Sequence, residues 1–357
     1  MFINNKFNFR ILRDSFFKSR IFMGRLAVLS VIIVLCGCFS GCTLPKQTLT
    51  DPVNVTGYKL NTYVSIDSYT NVSKKVLNEA LALCDYYEKK FSRTMAGSDI
   101  YKVNHGETNE IDAETASLIQ SGLYYSQLSG GAFDITIGSV SSLWDFTADK
   151  PVVPDSSAIS EAVKHVGYTN VSLYKKEDSD NYIINMPEGT MLDLGAIAKG
   201  YIADRIKDYL VDKGVTSAII NLGGNCLCIG GKTATSSFTI GIKKPFTQTG
   251  ELLLKLSING KSVVSSGTYE RYFYENGNFY HHILNPATGY PYDNHLTNVS
   301  IISDLSLDGD CLSTTCFALG LDDGLKLIES LDGIEAVFVT DDGSIHYSSN
   351  AKSYIAN

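Results

Sequence analysis

A carboxylate and a hydroxyl one helical turn apart, a lysine near a second carboxylate, and two adjacent histidines are the groups best suited to chemistry here. In "DGDCLSTTCFALG", residues 308–320, Asp310 and Thr314 stand at i,i+4 in an apolar pattern. That spacing puts both on one helix face, either as a hard-cation site or as an ordinary capping arrangement. In "DLGAIAKGYIADRI", residues 193–206, Asp193 and Lys199 flank small residues that run into an amphipathic helix. This stretch reads either as a capped helix with solvated charges or as a turn open to a ligand. "HHILNPATGYP", residues 281–291, places His281 and His282 at a strand end, where the second histidine could donate to a phosphate or take a proton. "INLGGN" at 220–225 and "SSGTYER" at 265–271 bring glycines and hydroxyls to strand ends, as tight turns or as places where backbone approaches a ligand closely.

Several common catalytic patterns are absent. No G-x-G-x-x-G follows a strand, no G-x-x-x-x-G-K-[ST] occurs, no serine sits in G-x-S-x-G, and the six histidines contain no H-E-x-x-H. Dinucleotide-binding Rossmann, P-loop and α/β-hydrolase chemistry are thereby excluded. The net charge of −8 offers no field for a nucleic acid backbone, so no nucleic acid partner is expected.

These groups need elements to hold them. Helical spacing predicts helices at 73–90, 113–129, 155–165 and 196–212, the last closed by Gly214. Strands are expected around "TYVSIDSY", "VSLYKKED", "NYIINM", "SAIINLGGN", "CLCIGG", "FTIGIKKP" and "ELLLKLSINGKSVVSS". Asn259-Gly260, Asn276-Gly277 and Asp342-Gly343 each read as a hairpin turn. Hairpins outnumber βαβ crossovers. The class is therefore α+β, with largely antiparallel or mixed sheets, packed helices and two intimately associated subdomains.

The N-terminus reads as an address. Six basic residues, Lys6, Arg10, Arg13, Lys18, Arg20 and Arg25, precede "LAVLSVIIVLCGC", an apolar run of signal-peptide length, and "LCGCFSGC" resembles a lipobox. Residues 1–42 are expected to be a signal segment, with lipidation at Cys38 (Cys42 being the other choice) and with Met1 or Met23 as the start. A polar linker is expected over 43–56 and the catalytic domain over 57–350. Of the eight cysteines, Cys84, Cys226, Cys228, Cys311 and Cys316 lie beyond this region, too scattered for a disulfide framework and read as buried thiols.

The segments "AFDITIGSVSSLWDF", "LDLGAIAKGYIADRI", "AIINLGGN", "VVSSGTYERYF", "HHILNPATGYP" and "DGDCLSTTCFALG" occur in the order and spacing of the ApbE family, the FAD:protein FMN transferases. The resemblance runs from about residue 57 to 348. It implies an extracytoplasmic, lipid-anchored enzyme that takes FAD as substrate with Mg²⁺, moves FMN onto a Thr or Ser hydroxyl of another exported protein, and releases AMP. By the same resemblance Asp193 and Lys199 border the FAD site, and the Ala196 carbonyl, Asp310 and Thr314 hold the metal. Ala132, Phe133 and Asp134 contact flavin, Thr94 and Ile283 match further cofactor positions, and Leu60 stands where relatives carry methionine. His282 is the candidate for taking the acceptor's proton, ahead of Asp193. Two other readings share these motifs in whole or part: a metal-dependent FAD pyrophosphatase, and a flavin-binding lipoprotein without catalysis.

Overall fold

The computed structural model describes residues 48–247 and 250–356; the expected signal segment, Cys38 and the first part of the expected linker lie outside them. In chain order come β1 (Thr48–Lys59), β2 (Thr62–Thr70), α1 (Lys74–Phe91), α2 (Asp99–Asn104), β3 (Glu110–Ile111) and α3 (Ala113–Leu128). Then follow α4 (Gly138–Ser141), α5 (Ser156–Val163), β4 (Ser172–Lys175), β5 (Tyr182–Asn185), α6 (Ala198–Asp212), β6 (Ala218–Leu222) and β7 (Asn225–Ile229). The remainder is β8 (Phe238–Lys243), β9 (Leu252–Ile258), β10 (Ser262–Gly267), β11 (Tyr272–Glu275), β12 (Asn278–His281), β13 (Leu296–Ser303), α7 (Ser306–Glu329), β14 (Glu335–Thr340) and β15 (Ile345–Tyr347).

The framework is an eight-stranded sheet in the order β1-β2-β6-β7-β10-β13-β14-β15, every neighbouring pair antiparallel. The alternation of side chains divides its two faces. Ile220, Leu222, Leu227, Val299, Ile301, Ala336 and Phe338 pack under α1, α6 and α7 in the main apolar cluster. Their neighbours Ile219, Cys228, Ile302 and Val337 turn to the other face and meet the β8–β9 hairpin. The C-x-C pair is therefore one strand's contribution to a second core, and the five cysteines beyond the signal region are all free. Burial pushes Cys226 up to about 11 and Cys228 up to about 12, as expected of inert thiols.

A third cluster brings Trp144 and Val140 of the α4 region together with Ile159 and Ala162 of α5, Phe273 of β11 and Leu284. Trp144 also donates its indole N–H to the Gly289 carbonyl at 3.0 Å. This cluster docks the β11–β12 hairpin, and so fixes the stretch that begins with His281. Residues 46–357 cluster as one compact unit.

Two expectations need correction. Residues 48–56 of the expected linker belong to β1, because Val53 and Val55 alternate with polar residues and Val55 is buried against the main core. Pro52 is tolerated there because β1 is an edge strand. Asn259-Gly260 turns the chain but makes no hairpin: β9 pairs with β8, whereas β10 pairs with β7 and β13. The Gly260 N–H bonds to the Gly230 carbonyl instead, at 2.9 Å. Asn276-Gly277 does close a two-residue hairpin, both residues having positive φ (51° and 79°). Among the described residues, no helix is long and apolar enough to cross a membrane.

Candidate active site

The centre of the site is the crossing of α6 and α7. Ile197 and Ala198 donate their N–H groups to the Leu194 carbonyl at 3.0 and 2.8 Å, closing the turn before α6. Two steps further along the ladder, the Gly200 N–H would bond to the Ala196 carbonyl. Gly200 donates instead to Asp310 Oδ2 of α7, at 2.6 Å. Among the described residues, the Ala196 carbonyl therefore receives no backbone hydrogen bond and the Lys199 N–H makes none. Gly200 permits the approach: a Cβ at this position would lie 2.4 Å from the Ser306 carbonyl oxygen.

Asp310 is 5% exposed and lies within the second turn of α7, not at its cap. Burial raises its pKa, opposed by the Lys199 charge, the Gly200 N–H and the Asn225 amide. Asn225 is itself buried at the start of β7; its Oδ1 accepts from Ser306 Oγ at 2.6 Å, and its Nδ2 has no well-formed partner among the described residues. Thr314, one turn beyond Asp310, shares a hydroxyl contact with Ser266 of β10 at 3.1 Å, and Ser266 also meets Ser313 at 2.8 Å. Among the described residues, no three His, Cys, Asp or Glu side chains converge. One carboxylate, one hydroxyl and a carbonyl freed from its helix nevertheless fit a hard divalent cation. They are all oxygen donors, and the buried carboxylate lacks a full counter-charge.

On the other side of the α6 turn, Asp193 has its carboxylate occupied. Arg93 Nε donates to Oδ2 at 2.9 Å, Ser141 Oγ to the same oxygen at 2.7 Å, and Gly195 N–H to Oδ1 at 2.9 Å. This arrangement makes it a strut that ties α1's end and α4 to the turn. Thr94 follows Arg93 directly, exposed, its N–H and hydroxyl both on Ser92 Oγ at 3.3 Å. Asp134 is likewise turned inward. Its Oδ1 takes the Thr136 N–H and hydroxyl, at 2.8 and 2.7 Å, and its Oδ2 takes the Tyr168 N–H at 2.9 Å. Phe133 is buried, and the Ala132 carbonyl accepts from Tyr292 OH at 2.7 Å, so this segment offers a ligand its backbone more readily than its side chains.

The histidine pair divides its roles by hydrogen bonding. His281 is buried, with Nε2 on the Tyr292 carbonyl at 2.9 Å and Nδ1 accepting the Ile283 N–H at 3.2 Å, which leaves neither nitrogen free. Ile283 is buried beside it. His282 is half-buried and holds only the Arg271 carbonyl, through Nδ1 at 3.3 Å. A carbonyl only accepts, so Nδ1 carries the proton and Nε2 keeps its lone pair. Crowding by protein atoms, then the charge of Arg271, the neighbouring His281 and the charge of Lys199, pushes the His282 pKa down to about 3. The charge of Lys199 acts on both His282 and Asp310. Leu60 sits farther out, at the tip of the β1–β2 hairpin. Leu60 and Asn61 both have positive φ (53° and 55°), and Thr62 beside them crowds the Gly223-Gly224 turn that leads to Asn225.

Arg93, Asn225, Ser266 and Asp204 escaped the sequence reading. Asp204 lies inside the 193–206 stretch and Arg93 just before Thr94, yet their partners are remote in sequence, and spacing alone gives them no signal. The INLGGN turn did mark the neighbourhood of Asn225.

Comparison with known proteins places the whole chain. The model of the ApbE family matches residues 60–338. An FAD:protein FMN transferase of Klebsiella pneumoniae (strain 342) is 40% identical over 280 residues, covering 76% of this chain and 86% of the relative. Another, of Treponema pallidum (strain Nichols), is 34% identical over 248 residues, covering 67% and 68%. The crystal structure of the ApbE protein from Thermotoga maritima superposes with a TM-score of 0.77 at 31% identity, covering 86% of this chain and all of that one. With matches this extensive in both sequence and fold, the chain belongs to the ApbE family.

Proposed function

We propose that this chain transfers FMN from FAD to a Thr or Ser hydroxyl of an exported protein, with Mg²⁺ required and AMP released. The observation that carries the reading is the diversion of the Gly200 N–H to Asp310, which frees the Ala196 carbonyl beside a buried carboxylate. Ala196, Asp310 and Thr314 would hold the cation. Bound there, Mg²⁺ supplies charge neutralisation of the diphosphate.

The chain's own groups account for the rest. The Lys199 ammonium and the unbonded N–H at the start of α6 bind the anionic diphosphate, an end of a helix that favours negative charge. His282, neutral at pH 7 and with Nε2 free, takes the proton of the acceptor hydroxyl as its oxygen attacks the FMN phosphorus. The new O–P bond forms as the bond from that phosphorus to the bridging oxygen breaks, and AMP leaves with that oxygen. Asp193 holds the turn rigid through Arg93 and Ser141. The basic and apolar N-terminus with its lipobox supports a location outside the cytoplasm, anchored by lipid at Cys38.

Incubation of the protein with FAD and Mg²⁺, with and without a Thr-containing acceptor protein, tests the reading. Release of AMP matched mole for mole by a covalently fluorescent acceptor is expected. AMP release that ignores the acceptor, and leaves it unlabelled, would make the protein an FAD pyrophosphatase.

A further inference from the structure

Helix α7 carries Asp310 and Thr314 but brings no cap of its own, since the residue at its N-cap, Leu305, makes no side-chain bond. The first N–H groups of a helix need acceptors from elsewhere. Two of them are met by a different helix. Asp204 of α6, 4% exposed, accepts the Ser306 N–H on Oδ1 and the Leu307 N–H on Oδ2, each at 2.9 Å. One turn earlier on α6, the Gly200 N–H is held by Asp310 Oδ2 at 2.6 Å. The same two helices are thus bonded in both directions, side chain of α6 to backbone of α7 and side chain of α7 to backbone of α6. Ser306 adds a third tie through Asn225 Oδ1 at 2.6 Å. With the Ser306 backbone packed against Gly200, α7 cannot slide along α6 without breaking one of these bonds.

We propose that Asp204 is a positioning residue, which clamps the first turn of α7 onto α6 and thereby sets where Asp310 stands relative to the Ala196 carbonyl and how tightly a divalent cation is held. The inference rests on the reading of Asp310 as a cation ligand. Groups that orient a ligand from behind typically change metal affinity by 10- to 100-fold when removed. A helix cap that contributes only stability leaves that affinity unchanged.

Mn²⁺ serves as the probe, titrated into the full chain without FAD and followed by the electron paramagnetic resonance of free Mn²⁺, with thermal unfolding measured on the same samples. Asp204→Ala is expected to weaken Mn²⁺ binding about tenfold or more. Asp204→Asn, which keeps one acceptor oxygen, is expected to fall between Asp204→Ala and the unaltered protein. Ile240→Ala, in the second apolar cluster, controls for lost stability: it should lower the unfolding temperature and bind Mn²⁺ normally. Asp204 variants that unfold earlier yet bind Mn²⁺ like the unaltered protein would overturn the proposal and leave Asp204 a cap. Should Asp204→Ala fail to fold, Asp204→Asn decides in the same way. Asp310→Ala separates the two levels. If it keeps full Mn²⁺ affinity, the cation reading falls and this proposal with it; if it loses affinity while both Asp204 variants do not, only this proposal falls.

Discussion

Two adjacent histidines of the same intrinsic chemistry take different parts because of what their ring nitrogens touch. His281 has both nitrogens engaged, whereas His282 has Nε2 free and a pKa pushed down to about 3. This depression has a consequence for stability. Between the ordinary histidine value of 6.5 and 3, the unfolded chain binds a proton at this position that the folded chain refuses. Stability is therefore unaffected by His282 above pH 6.5 and is lost progressively as pH falls below it. His282→Asn keeps a donor for the Arg271 carbonyl but gains no proton in either state. Urea unfolding at pH 6.5 and 4.5 should show the variant losing less stability than the unaltered protein, by about 1–2 kcal/mol once the ring's partial exposure is allowed for. Parallel losses would mean that His282 is protonated in the folded state and is no resting base. At this scale a motif drew attention to Asp310, Thr314 and His282. The significance of Arg93 and Asp204 was illegible, since it lies wholly in partners 100 and about 102 positions away.

At the scale of elements, what could be read from the sequence follows what is locally encoded. Helices α3 and α5 begin where the sequence places them because Asp112 and Asp155 cap them from the adjoining residue. The start of α6 is less local. Ile197 offers no cap, and a carboxylate from α7 takes the N–H of Gly200. The two Asn-Gly signals show the same division. Asn276-Gly277 joins strands that pair with each other, while Asn259-Gly260 joins strands whose partners lie elsewhere, information absent from the dipeptide. Gly200 tests how closely the two site helices must meet. Alanine there adds helix propensity of about 1 kcal/mol, but its Cβ would lie 2.4–2.8 Å from the Ser306 and Leu307 backbone, which cannot swing aside. Overpacking of this kind costs about 1–3 kcal/mol. Gly200→Ala should therefore unfold at a lower temperature than the unaltered protein and need more Mg²⁺ for half-maximal AMP release. A variant that is more stable, with unchanged Mg²⁺ dependence, would show that propensity outweighs contact and that the crossing is not tight.

For the whole molecule, the boundary of the folded body decides how much chain the site requires. Composition placed that boundary at residue 57, because the polar stretch before it carries Pro52 and few large apolar side chains. The fold places it earlier. β1 pairs with β2 from Val53 to Lys59, Val55 is buried against the main cluster, and the hairpin tip at Leu60 and Asn61 adjoins the turn leading to Asn225. A chain beginning at Lys46 keeps all of this, since residues 46–357 form one compact unit. A chain beginning at Gly57 loses the strand up to Thr56. Burial of Val55 alone is worth about 1.5–3 kcal/mol, and β2 would become an unprotected edge with its hydrogen-bonding groups open to other molecules. Without its partner strand the hairpin that holds Leu60 at positive φ loses most of its register, so the disturbance should reach FAD as well as stability. The expected outcome is that the chain from Gly57 unfolds at a lower temperature, aggregates more readily, and binds FAD more weakly than the chain from Lys46. Thermal unfolding by circular dichroism, light scattering and flavin fluorescence titration on the two proteins measure all three. Equal stability and equal FAD affinity would show that β1 is an accessory to the sheet, and would return the boundary of the catalytic body to residue 57.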